Sequence, residues 1–452
     1  MIFFKTGAAS ARTPWLRVEK YQNSTLRFSP GPDFPAHLEK MIGRPKVMRC
    51  FLTLNDAWDY RTGEYFYDFV LGLDRYMDDP SVPLYDRDET KLSPYGMTLL
   101  PHLTTHAEHA DEVCFSIRRY EREVKTGQMT IEKYEEIVEH LIEYYKERIP
   151  NIRYIECNEP NCWQFGAMTS FEFYQLYRVL YRIVNRLNAK HQYDMPLLVG
   201  GPCYAGANIT ENEQFLRLYA QDTDPEKRID FYSTHTYTTD MSSIPTFYAW
   251  LKNIIKELNL PEVPLHWNEY GATNGCSPDY KINQENAALS IEMIISMADK
   301  DDLFIYPWCS YHDPSIQVDR SQYIDFNRTT PYLPTFLGQA YIALSRLLTD
   351  RVETVGNLGN YGVVTTDGEK YAVLVTNGHE KSKEVRFIVD GLKKETATVK
   401  VYKVDALHNN CFIDHSIDDL KETDCFEAEV KNGEIAIADT VDTLGFTLWI
   451  IE

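Results

Sequence analysis

The stretch Ile152-Arg-Tyr-Ile-Glu-Cys-Asn-Glu-Pro-Asn161 joins an apolar, strand-like run to a polar turn. Pro160 has no amide proton and cannot continue a strand ladder, so the strand must stop directly after the Glu159 carboxylate. The stretch therefore predicts a buried strand that delivers Glu159 to the point where a loop begins.

Similar apolar runs recur along the chain, and stretches with helical periodicity separate them. The runs are Lys46 to Leu54, Gly96 to Leu103, Pro196 to Gly200, Ile229 to Thr234, Val263 to Trp267 and Leu303 to Trp308, with a weaker one near Thr25 to Ser29. One helical stripe, Phe173 to Leu187, follows the capping-box pair Thr169 and Glu172. Strands alternating with helices indicate an α/β fold with a parallel sheet.

A doubly wound sheet and an eight-stranded barrel both fit this alternation. The sequence has no GxGxxG or P-loop motif after any strand. Polar and aromatic residues gather after many strands rather than at one crevice, which favours a (β/α)8 TIM barrel. We expect the barrel over residues 17–349. Short strands and turns such as Asp367-Gly368 fill residues 350–452 and predict a C-terminal β-sandwich module, with residues 1–16 as a strand-like partner.

Composition narrows the class of partner. The chain of 452 residues has 46 Lys and Arg against 67 Asp and Glu, a net charge of −21, which disfavours nucleic acid and anionic membranes. Its nine Cys show no zinc spacing, and the N-terminus has no run typical of a signal peptide. We therefore expect a cytoplasmic protein, unless a leader was removed, that needs no metal or cofactor. The oligomeric state is open.

A second glutamate, Glu269, resembles Glu159 because it also follows an apolar, strand-like run. Glu269 follows the apolar run that ends at Trp267, 110 residues beyond Glu159. Two predicted strands lie between the two residues, so Glu159 belongs to strand four and Glu269 to strand seven. Both would point into one barrel mouth from facing walls. Two facing carboxyls are what glycoside cleavage requires, one as acid and the other as nucleophile or base.

An Asn-Glu-Pro strand end followed by a Glu three strands later resembles clan A of the glycoside hydrolases, and the finer pattern is similar to family 39, which contains β-xylosidases and α-L-iduronidases. The resemblance runs from Arg44 to Leu348 and into the β-module. It implies a retaining glycosidase with a carbohydrate substrate. It also implies roles for individual residues: Glu159 as acid/base, Glu269 as nucleophile, Asn158 on the sugar 2-hydroxyl, Tyr237 on the nucleophile, His235 beside the acid/base and Trp308 under the central subsite.

Other residues are weaker candidates for a role in the site. Arg49 could orient the nucleophile, and Asp56 could contact sugar hydroxyls. His102, His106 and His109 match metal spacing only loosely. The chain also departs from the family, which usually has Thr-Glu-Trp where this sequence has Asn268-Glu269-Tyr270. This change bears on the substrate more than on the chemistry.

Exo action is favoured, because the long segments 78–95 and 104–126 could close the pocket. The alternatives are an endo-acting glycanase of the same clan and an inactive barrel that only binds carbohydrate. A cofactor-dependent aldolase would need a Lys at a strand end, and no convincing one is found.

Overall fold

The computed structural model describes residues 1–7, 10–24, 31–60, 62–68, 100–271, 279–308, 310–311, 318–326, 332–379 and 381–452. Eight strands within these ranges form one parallel sheet. They are β1 (Tyr21–Asn23), β2 (Val47–Thr53), β3 (Glu112–Arg118), β4 (Ile152–Cys157), β5 (Leu198–Ala205), β6 (Phe231–His235), β7 (Leu265–Tyr270) and β8 (Leu303–Pro307). Asn23 Nδ2 of β1 donates to the carbonyl of Pro307 in β8 at 2.9 Å, which brings the first and last strands together. The predicted TIM barrel is confirmed.

Helices cover the outside of this sheet, because their apolar stripes pack on the strands. The main ones are Phe34–Ile42, Leu100–Glu108, Ile131–Arg148, Ser170–His191, Ile209–Gln221, Ser243–Leu258, Tyr280–Met297 and Phe336–Ser345, with short helices at Leu54–Ala57, Glu121–Lys125, Val18–Lys20 and Gly359–Tyr361. The predicted capping box is present, since Thr169 and Glu172 bond each other's backbone amides. Two small hairpins pair Trp58–Asp59 with Glu64–Tyr65 and Tyr323–Ile324 with Leu333–Pro334. In the described part of the chain, every helix is too short or too polar to cross a membrane.

The remaining strands form two sheets that pack as a β-sandwich. One sheet contains Arg12–Pro14, Asp350–Val352, Gly362–Thr366, Tyr371–Thr376, Phe446–Ile451, Thr396–Val404 and Asp424–Glu429, and the other contains Val355–Gly356, Ile2–Lys5, Lys383–Asp390 and Glu434–Val441. Buried side chains such as Phe4, Phe387 and Trp449 fill the space between them. The N-terminal residues thus contribute a strand to each sheet, while the exact domain boundaries stay a prediction.

The sequence prediction for the third strand was wrong. Its run, Gly96 to Leu103, begins outside the described residues and continues as the helix Leu100–Glu108, and the third strand is β3 instead. Leu100, Leu103 and Ala107 lie at helical spacing and face the core, so a short apolar run was mistaken for a strand. His102 and His106 consequently both lie on this helix. The weak run at 25–29 lies outside the described residues, and the first barrel strand is β1.

Candidate active site

The backbone at Glu159 turns its side chain into the barrel mouth. β4 ends at Cys157, and Glu159 has a φ of +48°, in the left-handed region that non-glycine residues rarely adopt. Its amide donates to the carbonyl of Cys203 at the end of β5, at 3.0 Å. A backbone conformation that costs free energy and is held by a neighbouring strand is typical of functional positions.

Glu269 reaches the same mouth through an irregularity in β7. The pairing of β7 with β8 changes register between Trp267 and Tyr270. In a regular strand, neighbouring side chains point to opposite faces, but an irregularity of this kind can re-aim one of them. Asn268 and Glu269 are adjacent in sequence, and yet both side chains bond groups inside the barrel.

His235, at the end of β6, stands between the two carboxyls. Its Nε2 lies 2.8 Å from Glu159 Oε1 and 3.6 Å from Glu269 Oε2. One oxygen of each carboxyl and this ring nitrogen all lie within 4.8 Å of one another. Both carboxyls therefore face one small volume, in which a single reacting atom can contact both of them.

Arg49 of β2 is the fully buried cation beneath this volume. Its Nε donates to Glu156 Oε1 and its NH1 to Glu269 Oε1, each at 2.8 Å. Its guanidinium also contacts Asn23 Oδ1 at 3.2 Å, Ser116 Oγ at 2.8 Å, Asn158 Oδ1 at 2.7 Å and Cys203 Sγ at 3.7 Å. Burial opposes the charge of Arg49, but the two carboxylates outweigh it and hold the arginine pKa well above its usual value. Burial alone would raise the pKa of the Glu156 carboxyl. The charge and hydrogen bond of Arg49 outweigh burial, so the pKa of Glu156 lies below its usual value.

Tyr237 completes the surroundings of Glu269. Its hydroxyl donates to Glu269 Oε2 at 2.5 Å. Burial and the negative charge of Glu269 raise the pKa of Tyr237 well above its usual value, so the hydroxyl stays a donor. Each oxygen of Glu269 thus receives a hydrogen bond, from Arg49 or from Tyr237, and these two bonds hold the carboxyl in position.

Glu159 and His235 are hydrogen-bonded, and opposing influences act on the pKa of each. Burial raises the pKa of Glu159, but the hydrogen bond and charge of His235, and then the charges of Arg49 and Arg118, outweigh it and lower that pKa. Burial lowers the pKa of His235, whereas Glu269, Cys203 and Glu159 together raise it well above its usual value. Both shifts favour placing the proton on His235 rather than on Glu159.

Most of the residues predicted for the site meet here. Asn158, His235, Tyr237 and Arg49 all bond one of the two carboxyls. Trp308 follows β8, and its ring lies 6.5 Å from the Tyr237 ring and 5.8 Å from that of Phe51, edge-on in both cases. Asp56 lies half-buried in the short helix after β2, and its contact with substrate stays a prediction.

Five residues of the site were missed as functional candidates. They are Asn23, Ser116, Glu156, Cys203 and Asn268. A signal for two of them was available, because Glu156 and Ser116 share with Asn158 and Arg49 the alternation that directs every second strand residue to one face. Cys203 could not be found in this way, since its own φ of +55° breaks the alternation.

The geometry of Glu159, His235 and Glu269 would also admit a cation by distance alone. We assign no metal to this cluster, because Arg49 and Tyr237 already neutralise and bond Glu269. On the outer surface, Glu143, Glu147 and His191 form a similar group. There the ammonium of Lys190 already bonds Glu143 at 2.6 Å.

Removal of the Arg49 charge should destabilise the protein strongly. We expect Arg49→Met to lower the free energy of unfolding by about 3–5 kcal/mol, because Glu156 and Glu269 would remain buried without a counter-charge. Arg44→Met is the matched control. Arg44 pairs with Asp111 at the surface, where the two side chains are 42% and 59% exposed, so the loss should stay below about 1 kcal/mol. Denaturant unfolding measures both; equal losses would contradict the buried network.

Comparisons with known proteins identify one family model that matches part of this chain. Residues 115–326 match the family model described as glycosyl hydrolases family 39. A comparison with curated protein sequences finds no match.

Solved structures share the fold over nearly the whole chain. A glucosidase from Croceicoccus marinus has 17% identity and a TM-score of 0.66, covering 100% of this chain and 99% of its own. A monomeric β-xylosidase from Caulobacter crescentus CB15 has 16% identity, a TM-score of 0.66 and the same coverage. The bacterial orthologue of human α-L-iduronidase has 14% identity and a TM-score of 0.68, covering 99% of this chain and 83% of its own. The family match covers the strands that carry both carboxyls, so the chain is a glycoside hydrolase whose residues 115–326 are similar to the glycosyl hydrolases of family 39.

Proposed function

We propose that this protein is an exo-acting glycosidase in which Glu269 is the nucleophile and Glu159 the acid/base. One observation carries the assignment of the pair: oxygens of the two carboxyls lie within 4.8 Å of each other. Retaining glycosidases have a separation of about 5–5.5 Å, whereas inverting ones need about 6.5–9.5 Å to admit a water. The short distance supports attack by one carboxylate on the sugar itself.

The unequal surroundings of the two carboxyls support the division of roles. Glu269 is almost fully buried and receives hydrogen bonds from Arg49 and Tyr237, which fix its position, as a nucleophile requires. The Glu159 side chain is 19% exposed and bonds the titratable His235. A group that must exchange a proton with a leaving group and then with water needs such access.

The proposed reaction has two steps. A Glu269 oxygen attacks the anomeric carbon, the glycosidic C–O bond breaks, and a proton passes from His235 through Glu159 to the departing oxygen. Glu159 then removes a proton from water, the water oxygen bonds to the anomeric carbon, and the bond to Glu269 breaks. Between the steps Glu269 is a neutral ester. The loss of its charge lowers the pKa of Glu159 and prepares Glu159 to act as a base.

The remaining polar groups would bind the sugar. Asn158 Oδ1 accepts from Arg49, so its Nδ2 faces Glu159 at 3.5 Å and can donate to a sugar hydroxyl. The face of Trp308 suits the apolar side of a pyranose ring. Two fold neighbours, a glucosidase and a β-xylosidase, favour exo action. Another fold neighbour, a GH30 endoxylanase from Clostridium papyrosolvens with 12% identity and a TM-score of 0.54, keeps endo action as the alternative.

A panel of aryl glycosides tests the proposal. We expect at least one to be hydrolysed, and NMR of the first sugar released should show the anomer of the substrate, because two displacements at one carbon restore its configuration. A first product of inverted configuration would disprove attack by Glu269. Exo action predicts that a matching oligosaccharide loses single sugars from one end; internal cuts would support the endo alternative.

A further inference from the structure

Asn268 occupies the position before the proposed nucleophile and bonds three groups at once. Its Nδ2 donates to Glu156 Oε1 at 2.8 Å and lies 3.0 Å from Cys203 Sγ. Its Oδ1 lies 2.9 Å from His235 Nδ1. The side chain is 1% exposed, so water does not compete for these bonds.

The ionised carboxylate of Glu156 determines which end of the Asn268 amide faces each partner. Glu156 is ionised beside Arg49, and an ionised carboxylate can only accept hydrogen bonds. The NH2 group of Asn268 must therefore face Glu156. Its carbonyl oxygen must then face His235, and an oxygen without hydrogens can only accept.

The orientation of Asn268 determines which nitrogen of the His235 ring carries a hydrogen. Because Asn268 Oδ1 accepts, His235 Nδ1 must carry a hydrogen. Nε2 then either carries a second hydrogen, which it donates to Glu159, or accepts one from Glu159. The neutral tautomer with hydrogen only on Nε2 is excluded, since it would turn two lone pairs towards each other.

We propose that Asn268 is a positioning residue that keeps His235 protonated at Nδ1 and aims Nε2 at Glu159. This inference extends the proposed function, in which Glu159 is the acid/base. Through Glu156, the buried charge of Arg49 sets the orientation of Asn268, and Asn268 in turn sets the protonation of the ring that contacts Glu159. The ionisable groups facing His235 are Glu159 after β4, Cys203 from β5, and Glu269 from β7, with Tyr237 nearby on the segment of His235 itself.

The test follows the two ring nitrogens of His235 by NMR. The full-length protein is labelled with ¹⁵N-histidine, and His235→Gln assigns the signals. In the parent protein we expect both nitrogens protonated at neutral pH. Asn268→Leu removes the acceptor, fills the space and keeps water out. In this variant the midpoint for deprotonation of His235 should fall by about one to two pH units, the scale of one charge-assisted hydrogen bond.

Asn268→Asp is the matched variant, because it keeps an acceptor of the same shape. Its His235 midpoint should stay in place or rise, in the direction opposite to Asn268→Leu. His408 is an internal reference, because it follows the sandwich strand Thr396–Val404 and its Nδ1 lies 2.9 Å from Asp405, so its signals should not move. Asn268→Ala replaces the Leu variant if the latter does not fold. An unchanged midpoint without the acceptor, or an equal fall in the Asp variant, would overturn the proposal.

This measurement is independent of catalysis. If His235 shifts as expected but no glycoside is hydrolysed, the positioning by Asn268 stands and the proposed function fails. If glycosides are hydrolysed with retention but His235 does not respond, the proposed function stands and the role of Asn268 fails.

Discussion

Glu269→Gln should abolish turnover while leaving ligand affinity largely intact. We expect kcat to fall by at least about 10⁴-fold, because the amide is isosteric with the carboxylate but cannot form the ester intermediate. Tyr237 and Arg49 can still donate to the amide oxygen, so the shape of the pocket should persist. Steady-state kinetics measures kcat, and calorimetry with the substrate of this inactive variant measures affinity.

Glu292→Gln is the control for this experiment. Glu292 is also a partly buried glutamate, on the helix Tyr280–Met297, and its pKa is raised by burial. Its replacement should leave kcat within a few-fold of the parent value. If Glu269→Gln retained turnover, Glu269 would not be the nucleophile. If the parent bound sugars without hydrolysing any, and Glu269→Gln changed nothing, the barrel would be a carbohydrate-binding protein.

Glu159→Gln should give a loss that depends on the leaving group. For an alkyl or sugar leaving group we expect kcat/KM to fall by about 10²–10⁴-fold, the usual contribution of a general acid. A dinitrophenyl leaving group departs without a proton, so its release should be nearly as fast as in the parent protein. The second step then lacks its base, and a burst of phenol should precede slow turnover. Azide, which attacks without losing a proton, should accelerate that step.

A neighbouring carboxyl provides the comparison. Glu211 bonds Asn161, two residues beyond Glu159, at 2.8 Å. Glu211→Gln should preserve the parent dependence on the leaving group, because it alters the same loop without touching the proton donor. If Glu159→Gln slowed all leaving groups equally, or if azide had no effect, Glu159 would not be the acid/base.

The barrel could be predicted because the patterns that specify its strands and helices lie within short stretches of the sequence. Apolar runs of strand length, separated by helical stripes, are visible in any window of the sequence, and parallel strands place their ends at one mouth. The pair Glu159 and Glu269 followed from this pattern together with their spacing. The prediction failed for β3, where the apolar residues from Leu100 onward suited a helix as well as a strand. Only packing distinguishes these two readings.

The sequence by itself determined the class of fold, the two carboxyls and their strands, because strand alternation and chain order are properties of the chain. Tertiary structure decided the surroundings of those carboxyls. Asn23, Arg49, Glu156, Asn268 and Glu269 lie up to 246 residues apart, and their hydrogen bonds exist only after the barrel has closed. The left-handed turn at Glu159 and the register change before Tyr270 aim the two side chains. These features depend on pairing with neighbouring strands, and a short stretch of sequence does not specify that pairing.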